Sequence, residues 1–407
     1  MHTNKMMITA AVALSLMVTG CTPGTDTIEN NKNDDTQVIE TVEAAGTEQT
    51  DETTDVPEEV VAEAIETAEA ETTEVATEES TEETIEETTE EVATSAPAGN
   101  ENTGIDLQVV QPNELGEVMV VMYHGLGTKN SAYTRTPESF RQDLEKYYEM
   151  GFRPVNLSDY VSGNIDTPAG LTPMVITFDD GNKSNFNIIE EDGQLTIDPD
   201  SALGIIVAFN EKHPDWALRG SFFLNGGTPF GQKEYVDYKV NWLVDNGFEV
   251  GNHSYGHEDL TEQDAAGLQR ALGKNIQEIE SRLEDYTVST LALPFGKRPK
   301  DQARYDLVTS GVYNDISYEH KAILLVGWKP EVSVYDQGFN PLSIMRVQSG
   351  DGDFQMTHWL DDYTKYPKKR FISDGNANTV TVPSGVVEHL KSEIVGDREV
   401  ITYTLED

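Results

Sequence analysis

The chain has 407 residues, with 73 Asp and Glu against 28 Lys and Arg and a formal net charge of −45 at pH 7. This acidity argues against nucleic acid as a partner, and it weakly disfavours a strongly anionic polymer as a substrate. The single cysteine excludes a disulfide framework, so core packing must stabilise whatever part of the chain folds.

The first 20 residues predict a signal peptide. Lys5 precedes an apolar run from about Met6 to Val18, which is too short to span a bilayer but has the length of a signal-peptide core. The run ends in V-T-G-C, and this ending resembles the lipobox of bacterial lipoproteins. We therefore expect cleavage before Cys21, a lipid on Cys21, and an extracytoplasmic protein anchored to the bacterial cell membrane. A free thiol beside an ordinary cleavage site is the alternative.

Residues 21–104 predict a disordered acidic linker. Between residues 22 and 100 there are 25 Asp and Glu against one lysine, and no aromatic residue. Such a segment cannot bury enough apolar surface to offset its chain entropy, and its charges repel one another. We interpret it as a spacer between the membrane and a folded domain; a solvated tail without a role is the alternative.

Residues 105–407 predict one α/β domain, with its clearest part over 117–310. The predicted strands span 117–123, 152–157, 173–177, 217–224, 248–252 and 287–293. The predicted helices begin at Pro137 and then span 201–213, 235–245, 261–283 and 301–310, with loops at 158–171 and 182–199. Strands that alternate with helices need crossover connections and a mostly parallel sheet, and six such units favour a distorted or incomplete (β/α) barrel.

The pattern weakens after residue 318. Short strands are predicted at 322–326, 344–347, 379–382 and 400–405, with a polar loop after the second and a helix at 385–394.

Potential metal ligands follow two of the predicted strands. Asp179 and Asp180 end a buried strand, and His253 and His257 follow another, separated by turn residues. Adjacent carboxylates repel each other and call for a cation, and one carboxylate with two imidazoles suits zinc or a similar divalent ion. One Asp is then free to act as a base. Because neighbouring residues of a strand point to opposite sides, both Asp can share a site only where the strand ends. A pair of polar surface histidines is the alternative.

The motifs T-F-D-D-G at 177–181 and H-S-Y-G-H at 253–257 resemble the first two motifs of the NodB-like polysaccharide deacetylases, carbohydrate esterase family 4. The stretch L-P-F-G at 293–296 resembles the third motif. The resemblance implies a metal-dependent hydrolase on a distorted (β/α) barrel that removes acetyl groups from sugar polymers.

The same resemblance assigns roles to individual residues. It implies Asp180, His253 and His257 as ligands of a divalent metal, with zinc favoured over cobalt or another ion. Asp179 would be the general base, and Pro294 and Phe295 would lie near the substrate and its oxyanion. Tyr255, Phe295 and Trp359 are candidate stacking surfaces for sugar rings, with ordinary packing as the alternative.

Two departures from the family pattern leave questions open. Ala292 stands where the family has an arginine that supports the base, so the partner of Asp179 is undefined. The general acid is either His124, at the end of the first strand, or the late His358. We favour His124, because M-Y-H at 122–124 resembles the start of the biofilm poly-N-acetylglucosamine deacetylases, whose motif order is circularly permuted.

The sequence therefore predicts deacetylation of an extracellular or cell-wall polysaccharide, with an N-acetylglucosamine-type polymer favoured. A glycan-binding lipoprotein without turnover is one alternative, suggested by Ala292. An O-acetyl esterase of the xylan type and an amidase or esterase for small molecules are the others.

Overall fold

The structure, a computed structural model, describes residues 104–405. The predicted signal peptide, Cys21 and all but the last residue of the predicted linker lie outside this range. Within it, no helix is both long and apolar enough to cross a bilayer.

Eight parallel strands form the central sheet. They are β1 (Met119–Tyr123), β2 (Phe152–Pro154), β3 (Thr172–Phe178), β4 (Ser221–Leu224), β5 (Glu249–Asn252), β6 (Thr290–Ala292), β7 (Ala322–Leu324) and β8 (Val347–Gln348). Their order is β7–β6–β5–β4–β3–β1–β8, and β2 pairs with the first half of β3.

The two edges of the sheet meet in one short segment. Val347 of β8 pairs with Val121 of β1, and Ile344, three residues earlier, forms a parallel bridge with Leu324 of β7. The sheet therefore curls into a distorted barrel, which confirms the predicted fold class.

Helices cover the outside of this barrel. They are α1 (Pro137–Glu149), α2 (Leu157–Ser162), α3 (Ala202–Lys212), α4 (Val236–Asp245), α5 (Ala265–Glu280), α6 (Gln302–Thr309) and α7 (Met356–Lys365), with four-residue helices at Leu107–Val110 and Ser392–Val395. Single 3₁₀ turns occupy Lys233–Tyr235, Leu260–Glu262, Pro294–Gly296 and Pro367–Lys369, and a longer 3₁₀ segment spans Ser384–His389.

Four small strand pairs lie outside the barrel. They join Gly125–Leu126 to Thr134–Arg135, Ile188–Glu191 to Gln194–Ile197, Ser310–Tyr313 to Ile316–Glu319, and Thr379–Pro383 to Glu399–Tyr403.

Local sequence explains where several helices begin. The Thr136 hydroxyl accepts a hydrogen bond from the Ser139 N–H at 3.1 Å, directly before Pro137 at the first helical position of α1. The Ser201 hydroxyl accepts one from the Gly204 N–H at 3.2 Å and starts α3. Such caps satisfy backbone donors that have no partner within the helix.

Alternation along the strands separates an inner from an outer core. Val120, Val175 and Phe223 belong to the cluster inside the barrel, whereas their neighbours Val121, Ile176 and Phe222 pack in the layer beneath the helices. With this period of two, positions 179, 292 and 346 also point into the barrel.

Four predictions about elements are wrong. Part of the predicted loop 158–171 is helical, since α2 runs to Ser162, and the predicted irregular stretch after Asn182 contains the hairpin Ile188–Ile197. The predicted polar loop after residue 347 contains α7. The predicted helix at 385–394 is a 3₁₀ segment followed by a four-residue helix, because Gly385 and β-branched valines disfavour a regular helix there.

Candidate metal and catalytic site

The predicted ligands meet at the carboxyl-terminal mouth of the barrel. The Asp180 Oδ1 lies 3.4 Å from the His253 Nε2 and 3.5 Å from the His257 Nε2. Three ligands about 2.1 Å from one ion at tetrahedral angles lie roughly 3.4 Å apart, so these separations suit zinc. Among the described residues, these three side chains form the one group of His, Cys, Asp or Glu with metal-binding spacing.

Backbone conformation brings Asp180 to the same mouth as Asp179. β3 ends at Phe178, and Asp180 has φ 72°, in the left-handed region that non-glycine residues rarely adopt. The Phe230 N–H donates to the Gly181 carbonyl at 2.6 Å and holds the turn. Both carboxylates therefore follow the end of the strand, which is the condition under which they can share a site. His257 also has positive φ, at 54°, so two of the three candidate ligands sit on unusual backbone.

His253 carries an observation that points to a ligand. Its Nδ1–H donates to the Ala292 carbonyl oxygen at 2.8 Å, which leaves Nε2 as the acceptor nitrogen facing Asp180. This Nε2 is buried and has no hydrogen-bond partner. A buried nitrogen lone pair without a partner is costly, and a divalent metal would satisfy it. The residues present therefore fit the metal that the motifs imply.

Arg346 supplies the partner of Asp179. Its two terminal nitrogens each donate to one carboxylate oxygen of Asp179 at 2.8 Å, and both side chains are at most 2% exposed. Arg346 Nε also donates to the Leu325 carbonyl at 2.7 Å. Burial alone would raise the pKa of Asp179, but the Arg346 guanidinium and the nearby histidines outweigh it and hold this pKa well below its usual range. Asp179 is thus a fixed, ionised carboxylate.

The sequence contained a signal for Arg346 that the motif comparison missed. An arginine inside the apolar stretch S-I-M-R-V at 343–347, predicted as a strand, must either face water or find a buried acidic partner. Only the fold shows that this partner is Asp179, 167 residues earlier.

His124 lies at the same mouth, directly after β1. Its ring contacts Tyr133 edge-on, with the ring centroids 4.8 Å apart. Burial lowers the pKa of His124, while the charges of Asp179 and Asp180 act in the opposite direction. His124 therefore lies within electrostatic reach of both carboxylates.

His358 does not lie at a strand end. It occupies the exposed face of α7, where its aromatic neighbours are Phe354 and Trp359. It is not part of the group formed by Asp180, His253 and His257. Of the two candidates for the general acid, His124 lies near Asp179 and Asp180, whereas His358 lies on α7.

The third motif borders the site. Pro294 is buried, whereas Phe295 is 56% exposed with φ 58°, and its ring lies 4.5 Å from that of His257. Tyr255 is less suited to stacking, because its ring packs against Gly226 and carries the Lys274 Nζ 3.4 Å from its centroid. Trp359 is only partly exposed, and its indole N–H donates to the carbonyls of Trp328 and Phe354, each at 3.2 Å.

A family model supports the assignment made from the motifs. Residues 214–312, about a quarter of the chain, match the polysaccharide deacetylase family. The matched stretch includes His253, His257 and the third motif. Together with the barrel and the site, this match supports a hydrolase of the deacetylase class. A search of the curated proteins gave no match.

Several solved structures are similar to this chain. The Streptococcus pyogenes deacetylase PplD in complex with acetate is 16% identical with a TM-score of 0.44, over 60% of this chain and 97% of that one. IcaB from Ammonifex degensii is 16% identical with a TM-score of 0.42, over 60% and 96%. The de-N-acetylase from Aggregatibacter actinomycetemcomitans is 11% identical with a TM-score of 0.40, over 60% and 99%.

Proposed function

We propose that this protein is a metal-dependent deacetylase of an acetylated polysaccharide, with an N-acetylglucosamine-type polymer as the favoured substrate. The observation that carries the proposal is the group of Asp180, His253 and His257 beside the buried Asp179–Arg346 pair. Three residues able to bind a metal thus lie next to an ionised carboxylate, which can accept a proton. That combination suits hydrolysis by an activated water.

Each residue of the site would have a separate role in the hydrolysis. Asp180, His253 and His257 would hold a divalent ion, zinc above others, whose Lewis acidity would act on the acetyl carbonyl and on the attacking water. Asp179 would accept the proton of that water, held in place by its two hydrogen bonds to Arg346. The turn Pro294–Gly296 borders His257 and lines the space where the carbonyl oxygen would develop charge.

His124 would protonate the leaving nitrogen as the C–N bond breaks, so that acetate and a free sugar amine leave. Its lowered pKa makes the protonated ring a stronger acid. For an ester substrate the same proton would go to the alcohol oxygen.

The geometry bears differently on the two alternatives, a glycan-binding protein without turnover and an O-acetyl esterase. Ala292 was the sequence feature that suggested a glycan-binding protein without turnover, and Arg346 now provides the support whose absence motivated it. An O-acetyl esterase would use the same residues, so only a substrate panel separates it from an amidase. The lipid on Cys21 and the extracytoplasmic location remain predictions from the sequence.

The test uses the full chain loaded with Zn²⁺ or Co²⁺. We expect acetate release from N-acetylglucosamine oligomers, and release from acetylated xylan instead would identify an esterase. Asp179→Asn should bind metal with unchanged affinity and lose turnover by about 10³-fold or more, whereas Asp180→Ala should lose both metal and turnover. Asp192→Asn, in an exposed turn of the hairpin, is the matched control. Normal metal affinity in Asp180→Ala would contradict the ligand assignment.

A further inference from the structure

A group of aromatic side chains lies beside the candidate site, at the ends of β7 and β8. Trp328 follows β7, while Phe354 and His358 belong to the loop and helix that follow β8. The rings of Trp328 and Phe354 meet edge-on with centroids 5.7 Å apart, and His358 lies 5.2 Å from Phe354. We call these three residues the aromatic platform.

The platform is continuous with the catalytic residues. Gly327, next to Trp328, lies so close to the backbone of Arg346 that an added Cβ would come within 2.3 Å of the Arg346 nitrogen. The carbonyl of Leu325 accepts a hydrogen bond from the side chain of the same arginine. The segment that carries Trp328 therefore borders Arg346. This arginine pairs with Asp179 and positions the candidate base.

Phe354 is an exposed apolar residue on a strained backbone. Its side chain is 51% exposed, and its φ of 56° is in the left-handed region, where a non-glycine residue is strained. Glycine or asparagine would adopt this backbone more easily, and neither would expose an apolar ring. A strained and exposed phenylalanine beside a catalytic site points to a binding role rather than to stability.

Buried groups fix the loop that presents Phe354. Arg135, only 5% exposed, donates to the Asp351 carboxylate at 2.9 Å and also pairs with the buried Asp143 of α1. The indole N–H of Trp359 donates to the Phe354 carbonyl. The loop is therefore tied to the barrel from two sides, and the platform does not need to order itself when a ligand binds.

We infer that the aromatic platform binds a sugar ring of the acetylated polymer, at a position beyond the unit that is deacetylated. The C–H faces of a pyranose ring pack on aromatic faces, and Lys329, whose Nζ lies 5.7 Å from the Trp328 ring centroid, offers a polar partner for its hydroxyl or acetamido groups. This inference rests on the proposed function and adds to it a preference for long substrates. Substrates long enough to reach the platform should bind more tightly than short ones.

The test compares variants of the full chain that carry Asp179→Asn, so that binding is measured without turnover. Trp328→Ala, Phe354→Ala and Phe354→Gly are titrated with N-acetylglucosamine oligomers of two to six units and with acetylated xylan oligomers. We expect each variant to bind the longest oligomer about ten-fold more weakly, with little change for the dimer. Phe354→Trp should retain binding.

Two controls separate binding from folding. Phe354→Gly relieves the backbone strain, so its melting temperature should equal or exceed that of the parent although its affinity falls. Tyr366→Ala removes an aromatic side chain that is 56% exposed at the far end of α7, and it should leave affinity for every oligomer unchanged.

The outcomes distinguish the platform from the proposed function. If the platform variants have the same affinity as Tyr366→Ala at every oligomer length while the wild-type enzyme releases acetate, the inference about the platform is wrong and the proposed function stands. If the parent binds no oligomer of either panel and the wild type releases no acetate, both are overturned. Length-dependent loss confined to the platform variants supports the inference.

Discussion

Asp179 is paired with an arginine at position 346, whereas position 292, where the family pattern has an arginine, is occupied by alanine. Leu324 of β7 pairs with Ala292 on one side and with Ile344 on the other, so the two neighbouring segments flank the same strand. Positions 292 and 346 both point into the barrel, and a long arginine side chain from either segment could approach Asp179. Here Ala292 instead uses its carbonyl to orient His253. The support for the candidate base Asp179 and the orientation of the candidate ligand His253 thus come from two different segments.

Replacing Arg346 should affect both stability and turnover. Arg346→Leu would leave the Asp179 carboxylate buried without its partner, and we expect a loss of about 3–5 kcal/mol in the free energy of unfolding. Arg346→Lys should keep a positive charge but lose one of the two parallel hydrogen bonds, lowering turnover more than stability. Urea denaturation and acetate release measure the two effects.

Arg219→Leu provides the comparison for Arg346. Arg219 forms a more exposed ion pair with Asp166, and its loss should cost less than about 1 kcal/mol. Equal losses from Arg346→Leu and Arg219→Leu would show that the buried pair does not stabilise the barrel as proposed.

Strand β5 is fixed by a buried polar network behind His253. The Asn252 side chain donates to the His320 Nε2 at 3.1 Å, and its oxygen accepts from the Asn275 side chain at 2.7 Å. His320 in turn donates from Nδ1 to the Val308 carbonyl at 2.7 Å. Both ring nitrogens are therefore satisfied only when His320 is neutral.

This network should make stability depend on pH. Burial lowers the pKa of His320 to about 4, so between pH 4 and about 6.5 the unfolded chain binds a proton that the folded protein excludes. The contribution of His320 is fully present above about pH 6.5 and is lost as the pH falls, by about 3 kcal/mol at pH 4. Chemical denaturation at several pH values should show a shallower slope for His320→Gln than for the wild type. His389→Gln, at an exposed site, should keep the wild-type slope, and an unchanged slope in His320→Gln would refute the assignment.

The elements that the sequence predicted well share a physical signature. β3 is a fully buried apolar run that ends in charged residues, and α1 and α3 begin at capping residues that form the expected hydrogen bonds. The missed α2 has six residues, which leaves less than two turns of periodicity to detect. The missed α7 does bury Met356, Leu360 and Tyr363 at helical spacing, but glycines and acidic residues before it favoured a loop.

The candidate site was predictable to the extent that its residues lie next to one another in sequence. Asp179 with Asp180, and His253 with His257, form two short motifs at strand ends, and parallel strands bring such ends together. Arg346 and the platform belong to no such motif. Their contacts depend on how the last third of the barrel closes, and residue patterns do not contain that information.

At the scale of the whole molecule, closure of the barrel joins distant parts of the chain. The segment with the polysaccharide deacetylase match ends at residue 312, before β7, β8 and Arg346. Without these parts, β1 and β6 each lose a neighbouring strand, and Asp179 loses its partner. The unpaired backbone groups and the buried charge would each destabilise the remainder by several kcal/mol, against a typical total stability of about 5–15 kcal/mol.

We therefore expect a fragment of residues 104–312 not to fold on its own, whereas residues 104–405 should unfold cooperatively and keep the metal affinity of the full chain. Circular dichroism during heating and metal titration of both fragments measure this. The longer fragment is the control, because it contains every residue of the site and every strand of the barrel. If the shorter fragment melted cooperatively at the same temperature, residues 313–405 would not be needed to complete the barrel. Failure of the shorter fragment alone would show that residues 313–405 complete it.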